Sequence, residues 1–478
     1  MNKLLLLSFC LASFLGKAQV TIVEEIYVKD SKPVGFNYLK HTHNVVIHKG
    51  KKMGGLVAAS QTNNIYSYSI TGEKKTIVEN EKLYNCSFSP SENTFRMLDI
   101  SKSMFKIKVK YLINGNSSPL FDFDASNAYP KYFKYKNFTD KYELKLTNQK
   151  NNSDINFEKD NLTLKTVDIA TRKEKVYKLD KPSIARLIGA NLVEPRKSIG
   201  LNYILNEDES FDLITKSISS DYSKTTLYKT NYSTVDGKIV SDIAFELNLE
   251  DKKLVYSNNN GGFIGYPANK SLPFFDDDLS INNFITDSNG DVYIYGLYGD
   301  KIAELNDETN PKGYYVFKFD KMGKIIWKSI NKIDEKKFND KHYMYFTETN
   351  LSIINDQLCF YAFVNENQEY LNYGIIDMNS GKLTKSNNII FHEFMSRVGF
   401  GNDFFKLDYE YKDVKELKNK KFNLPGIIAY DLNTKFSNYV KAVKIKNETH
   451  FLTLFSDIGI WLIETDNDNY YKVSYFKD

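Results

Sequence analysis

Residues 284–330 limit what this chain can fold into more than any other stretch. They read FITDSNGDVYIYGLYG, then a polar link, then GYYVFKFDKMGKIIWKSI. Each half is two apolar runs about a tight turn, Ser288-Asn289-Gly290 in the first and Asp320-Lys321-Met322-Gly323 in the second. Asn and Gly take positive φ at little cost, so each half is expected to be a β-hairpin. Two successive hairpins give a four-stranded antiparallel sheet, the unit of a β-propeller blade.

The same rhythm recurs along the chain. Expected hairpin pairs run through 45–60 with 65–78, 86–100 with 105–123, 132–146 with 162–179, and 199–218 with 225–247. After 284–330 come 351–364 with 373–390, and 398–411 with 426–445, the last turning at Leu432-Asn433-Thr434. Residues 248–280, rich in Asn, Gly and Asp, interrupt the rhythm and read as a long inter-blade connection with short strands of its own. Val292-Tyr293-Ile294-Tyr295 is apolar on both faces, as a covered inner strand should be. Tyr315, Phe317 and Phe319 share one face with Lys318 and Asp320 on the other, which predicts a half-exposed outer strand. Sustained helical periodicity is absent; 332–338 could make one helical turn.

Thr286 through Gly296 resembles the bacterial propeller repeat in which a D-x-x-G-[ND]-x-Y hairpin leads to a terminal Gly. Phe317-Lys318-Phe319-Asp320 through Gly323 to Trp327 is similar to the second half of that repeat, and Phe88-Ser89-Pro90 is similar to the F-S-P turn of TolB-like propellers. The resemblance is to secreted β-propeller repeat proteins of the SBBP, TolB and PQQ-like kinds. It implies an all-β fold, a single propeller of about seven to eight four-stranded antiparallel blades, and no particular active site. Closure is expected to be shared between the termini. The strand Val20–Val28 has no hairpin partner beside it, while the segment from Phe451 to Phe476 is one strand short of a blade.

Residues 1–18 look like a secretory signal peptide: Lys3, an apolar run from Leu4 to Leu15, then Gly16-Lys17-Ala18 with small residues at the cleavage positions. The expected mature domain is 19–478, extracytoplasmic, without a later span apolar enough for a membrane. A lipoprotein reading at Cys10 is opposed by bulky Phe9 and by the position of Cys10 inside the apolar run. The formal charge of +4 becomes +2 once Lys3 and Lys17 leave, which gives no support for a nucleic-acid partner.

Chemistry-bearing residues are few. His41 and His43 share a face if extended, at a spacing that can hold zinc or copper, but His48 has the opposite parity. Asp287, Asn289 and Asp291 have the oxygen spacing that opens a calcium loop, and Asp276-Asp277-Asp278 offers three more carboxylates. No ligating Glu follows, and Gly290 fits a hairpin turn, so no metal and no cofactor is expected. Cys86 and Cys359 fall in units a ring would hold apart and are expected to be unpaired buried thiols. Nucleophile-elbow, zincin and phosphate-loop motifs are missing. The leading expectation is an exported binding scaffold for a protein or glycan at the bacterial cell envelope. The alternative is a propeller-type glycoside hydrolase or lyase with carboxylates at the central channel.

Overall fold

The computed structural model describes residues 20–27, 32–51, 62–82, 85–99, 106–113, 116–117, 121–124, 138–148, 161–182, 202–219, 221–255, 257–258, 279–280, 282–300, 308–309, 311–333, 342–343, 347–364, 369–391, 394–395, 408–410, 414–444, 449–466 and 470–477. Strands dominate, in antiparallel sheets taken up one after another along the chain. The first sheet holds Lys32–Leu39, Asn44–Lys51, Thr62–Tyr68 and Lys74–Lys82. The second holds Asn85–Phe88, Thr94–Asp99, Lys106–Ile113 and Phe121–Asp124. The third has three strands, Tyr142–Asn148, Leu162–Asp168 and Glu174–Lys178. The fourth runs Asn202–Leu205, Phe211–Ile218, Lys224–Tyr232, Ile239–Asn248. The fifth, built from the double hairpin of 284–330, is Asn282–Thr286, Val292–Gly299, Gly313–Phe319, Ile325–Lys332. The sixth is Thr347–Ile354, Gln357–Val364, Glu369–Asp377, Leu383–Phe391.

The last sheet joins the two ends of the chain. Thr449–Ser456, Gly459–Asp466 and Tyr470–Phe476 are completed by Val20–Tyr27, which pairs antiparallel with Tyr470–Phe476 from Val20↔Phe476 to Tyr27↔Tyr470. The terminal sharing expected from the unpaired strands is therefore present.

Buried clusters bind each sheet to the next and return to the start. Phe88, Phe95 and Met97 meet Val46 and Ile65 of the first sheet. Phe138 lies edge-on to Tyr111 at 5.6 Å, linking second and third. Leu144 and Leu164 meet Phe211 and Leu213. Ile214 and Phe245 meet Val292 and Phe317. Tyr293, Tyr295 and Tyr314 meet Leu358 and Phe360. Tyr361 and Tyr373 meet Phe451 and Leu462 of the last sheet, whose Trp461 and Tyr471 pack on Val45 and Tyr68 of the first. Val292 and Ile294 face backward along this circuit while Tyr293 and Tyr295 face forward, so the two-faced apolar pattern was a true sign of a covered strand. The ring of Tyr314 stacks on Phe360 at 4.1 Å, an aromatic pairing of about 0.5–1.5 kcal/mol beyond area burial.

Three expectations need correction. Among the described residues six sheets carry four or more strands, fewer than the seven to eight blades expected. Part of the difference is the third unit: its expected first strand from Tyr132 lies outside the described residues, except that Phe138 bridges to Glu143. The larger part is the unit expected at 398–445: residues 398–407 and 411–413 lie outside the described residues, and those described form no sheet of their own. Within it, Asp408–Glu410 and Lys420–Phe422 are absorbed into the last sheet, with Lys420–Phe422 parallel to Thr449–Ser456.

The second correction follows from the first, since the expected strand at 426–445 is two helices, α1 (Leu424–Leu432) and α2 (Thr434–Ala442). Asn423 caps α1 through the Gly426 N–H, with Pro425 in its first turn, and Asn433 ends α1 and caps α2 through the Phe436 N–H. Each such cap is worth about 1 kcal/mol, and the apolar run 427–429 was mistaken for strand. The third correction is that Gly313–Phe319 is an interior strand, buried throughout; Lys318 is satisfied by Asp291 at 3.1 Å. The outer strand is Ile325–Lys332, where Ile326 and Ile330 are exposed.

The expected connection 248–280 contributes short strands to neighbouring sheets: Lys253–Val255 pairs in the fifth, and Ser257–Asn258 and Leu279–Ser280 in the sixth. Residues 259–278 lie outside the described residues.

Candidate functional site

In a four-stranded antiparallel blade the turn after the first, innermost strand and the turn after the third lie at the same end of the sheet. At that end the inner turns are 40–43, 89–93, 139–141, 206–209, 287–291, 355–356 and 457–458 in chain order. They carry Glu92, Asp140, Glu207, Asp208, Glu209, Asp287, Asp291, Asp356 and Asp457 against the lysines Lys40 and Lys141, so the end is acidic in a chain whose net charge is +4.

Five of these turns are stitched side to side. The phenol of Tyr38 donates to Asp457 Oδ1 at 2.5 Å, joining first and last sheets. Glu92 accepts from the His41 backbone N–H at 3.2 Å and from the Thr42 hydroxyl at 3.5 Å. Asp140 accepts from Ser89 at 2.6 Å and Ser91 at 2.5 Å, and Glu209 accepts from the Thr139 hydroxyl. From the second sheet to the fourth, each carboxylate thus takes donors from the preceding sheet. One further contact skips two sheets: His41 Nε2 lies 2.9 Å from Glu207 Oε1, a chord from the first inner turn to the fourth. Its ends are 40% and 61% exposed, so it is worth little energetically and reports proximity.

Backbone geometry marks the same residues. Gly290 sits in the left-handed region at φ 84°, as a hairpin turn allows. In other inner turns that region is occupied by His43 (φ 54°), Glu92 (φ 64°), Glu209 (φ 69°), Asn355 (φ 44°) and Asp356 (φ 60°). A side chain there costs roughly 1–2 kcal/mol, and the first three belong to the stitching.

Electrostatics divides one adjacent carboxyl pair. Burial pushes the Glu209 carboxyl up, and Asp140 pushes the same way against the Thr139 hydroxyl. Burial also acts on Asp140, but the hydroxyls of Ser89 and Ser91 outweigh it and hold that carboxyl below its usual range.

The residues singled out from sequence behave differently. His41 and His43 do occupy this end, but they turn to separate partners, His41 to Glu207 and His43 to Tyr38 and Asp457. Asp287 Oδ1 accepts from the N–H groups of Asn289 (2.9 Å) and Asp291 (3.1 Å), and its Oδ2 accepts from Tyr293 at 2.9 Å. With Asp291 paired to Lys318, these oxygens serve the turn rather than a cation. Among the described residues, no three His, Cys, Asp or Glu side chains gather as a metal would need. Asp276-Asp277-Asp278 and the side chains of His48 and Cys86 lie outside the described residues. Cys359 is a free, buried thiol. In the sequence, 89–93, 139–140, 206–209 and 456–457 look like ordinary polar turns, and their recurring acids show only when the turns are superposed on one another.

A second concavity of about 280 Å³ lies between the sixth and last sheets, floored by Ile354, Ile375 and Ile460 and rimmed by Asn355, Gln357 and Lys385. The α1–α2 hairpin borders it through Leu432 and Asn433, and Asp431 ties that hairpin down by accepting from Tyr373 and from Asn387 at 3.1 Å.

No family model matches the chain. No curated protein matches it either. Among solved structures, a prolyl endopeptidase aligns over 94% of this chain at 9% identity and TM-score 0.38, and the chain spans about half, 51%, of its length. A Bacteroides fragilis protein assigned as a 6-phosphogluconolactonase aligns over 77% of this chain and 88% of its own at 12% identity and TM-score 0.32. A mutant of AofleA from Arthrobotrys oligospora aligns over 78% and 90% at 10% identity and TM-score 0.25. At these scores none of them informs the chemistry of the inner turns. Among the described residues no helix is long and apolar enough to cross a membrane.

Proposed function

We propose that this chain is an exported β-propeller that binds a protein or glycan partner at the bacterial cell envelope through its inner-turn end. The export part rests on the leader-like residues 1–18, and the repeat at 284–330 keeps the kinship to SBBP, TolB and PQQ-like propellers as part of the same reading. The observation that carries the binding part is the left-handed placement of His43, Glu92 and Glu209. Four strained ionisable side chains at one end, Asp356 being the fourth, where glycine would serve the fold, are more readily understood as a maintained surface than as turn chemistry. The test is capture from envelope extract with the mature chain. A specific partner retained by the native chain and lost on His41→Ala with Glu92→Ala supports the reading. Equal capture by both chains rejects the inner-turn end as the working surface.

One observation favours a second reading. Asp140 and Glu209 are neighbouring carboxyls driven apart in acidity, as in a glycosidase acid and base pair. Both already accept neighbouring hydroxyls, which weighs toward stitching. Glycoside cleavage by the mature chain that is abolished by Glu209→Gln would establish the enzymatic reading instead.

A further inference from the structure

His43 is the residue of the inner-turn end whose proton can be located by counting donors. Tyr38 has a single hydroxyl proton, and the 2.5 Å contact commits it to Asp457 Oδ1. The other hydroxyl beside Tyr38, that of Ser456, donates to the Gly459 carbonyl at 2.8 Å. His43 Nδ1 lies 2.8 Å from the same Tyr38 oxygen. With its own proton engaged, that oxygen can only accept, so the hydrogen of this contact resides on His43 Nδ1. A neutral imidazole carries one N–H, which leaves the Nε2 of His43 with a lone pair. Among the described residues Nε2 has no partner, and the His43 side chain is 40% exposed. His41 is the opposite case: Glu207 only accepts, so the Nε2 of His41 holds its hydrogen.

We propose that His43 presents its Nε2 lone pair as an acceptor for an O–H or N–H group of the ligand, with Asp457 and Tyr38 as the positioning residues that fix its tautomer. This rests on the binding reading above and supplies its recognition chemistry. The neighbouring groups fit the same demand. Glu92 and Glu207 also accept, so the end as a whole asks for a ligand rich in donors, such as the hydroxyls of a sugar ring. Burial, and then the bond to Asp457, push the Tyr38 phenol upward, which keeps its proton on the oxygen throughout the physiological range. The strained φ of His43 accompanies a ring tilted 36° to that of Tyr38 at a centroid distance of 6.4 Å, with Nδ1 turned to the phenol oxygen.

The test uses the full mature chain labelled with nitrogen-15 histidine, at about pH 8, where an ordinary imidazole is neutral. Long-range proton–nitrogen correlation should show His43 with a protonated Nδ1 and a bare Nε2, assigned by His43→Gln. Diethyl pyrocarbonate, which is attacked by a ring-nitrogen lone pair and most readily by the unhindered Nε2, should modify His43 several-fold faster than His41, whose lone pair is on Nδ1 beside the backbone. Asp457→Ala releases the Tyr38 proton to His43 Nδ1, so the tautomer should invert and the modification rate of His43 should fall. A native His43 with Nε2 protonated, or a tautomer unmoved by Asp457→Ala in a folded chain, overturns the proposal. If Asp457→Ala does not fold, the native spectrum and the His43-to-His41 rate ratio decide alone. None of these results depends on whether envelope capture succeeds, so failure here and failure of the binding reading are separable.

Discussion

Replacing Glu209 by glycine and, separately, by alanine sets two effects of known sign against each other. Both variants lose the bond from Thr139 to a charged acceptor, worth about 1.5–3 kcal/mol before relaxation. Thr139 keeps contacts to the Tyr142 backbone, so it is not left without a partner, and the lower end of that range applies. Only glycine also removes the strain of φ 69°, roughly 1–2 kcal/mol. Glu209→Ala should therefore destabilise by about 1.5–2 kcal/mol, while Glu209→Gly lands near native, reversing the usual loop preference for alanine over glycine. The pH dependence has a definite sign. Burial raises the pKa of Glu209 in the folded chain, so the proton it binds favours the folded chain. That contribution is complete below the unfolded carboxyl range and is lost as pH rises through the folded value, so native stability relative to Glu209→Gln should improve on acidification. Urea denaturation at neutral and acidic pH measures all four chains. An alanine variant as stable as the glycine variant would refute the strain argument.

Two other outcomes follow from the packing. Removing residues 20–27 deletes seven register pairs with Tyr470–Phe476, at about 0.5–1.5 kcal/mol per hydrogen bond, so the loss should approach the 5–15 kcal/mol total of a typical domain. The whole unfolding transition should shift in denaturant; a truncated chain with an unchanged midpoint contradicts closure through that strand. At Gly374 an added Cβ would meet the Tyr314 hydroxyl at 1.9 Å, so Gly374→Ala should destabilise by about 1–3 kcal/mol and Tyr314→Phe should restore part of it. Strict additivity of the two changes in thermal unfolding would contradict the contact.

The fold was legible where local chemistry and tertiary demand agree. Val292-Tyr293-Ile294-Tyr295 is apolar on both sides because sheets cover both sides, and Ser288-Asn289-Gly290 turns where Gly290 takes positive φ. The shared last sheet was legible from an unpaired strand at one end and a missing one at the other. The helices at 424–442 escape a reading by pattern because Ile427, Ile428 and Ala429 are buried like strand residues, while the capping pair Asn433-Thr434 also fits the hairpin turn expected at Leu432-Asn433-Thr434. The candidate site was legible only at His41, His43, Asp287 and Asp291. Its acids meet their donors across 51 residues, Ser89 to Asp140, and 70 residues, Thr139 to Glu209, so the site forms only once the sheets close. No local pattern could show that, although unglycined left-handed turns at Glu92 and Glu209 were a trace of it.

The central claim is that inner turns of a closed ring of sheets converge at one end, bringing residue 41 beside residue 207. His41→Lys places an amine where the imidazole meets the Glu207 carboxylate, and a zero-length carbodiimide then joins groups already in contact. Peptide mapping should recover an amide between positions 41 and 207 in the monomer, abolished by Glu207→Gln. Recovery of links from position 41 to its near neighbour Glu92 alone, with none to 207, would contradict convergence across the ring.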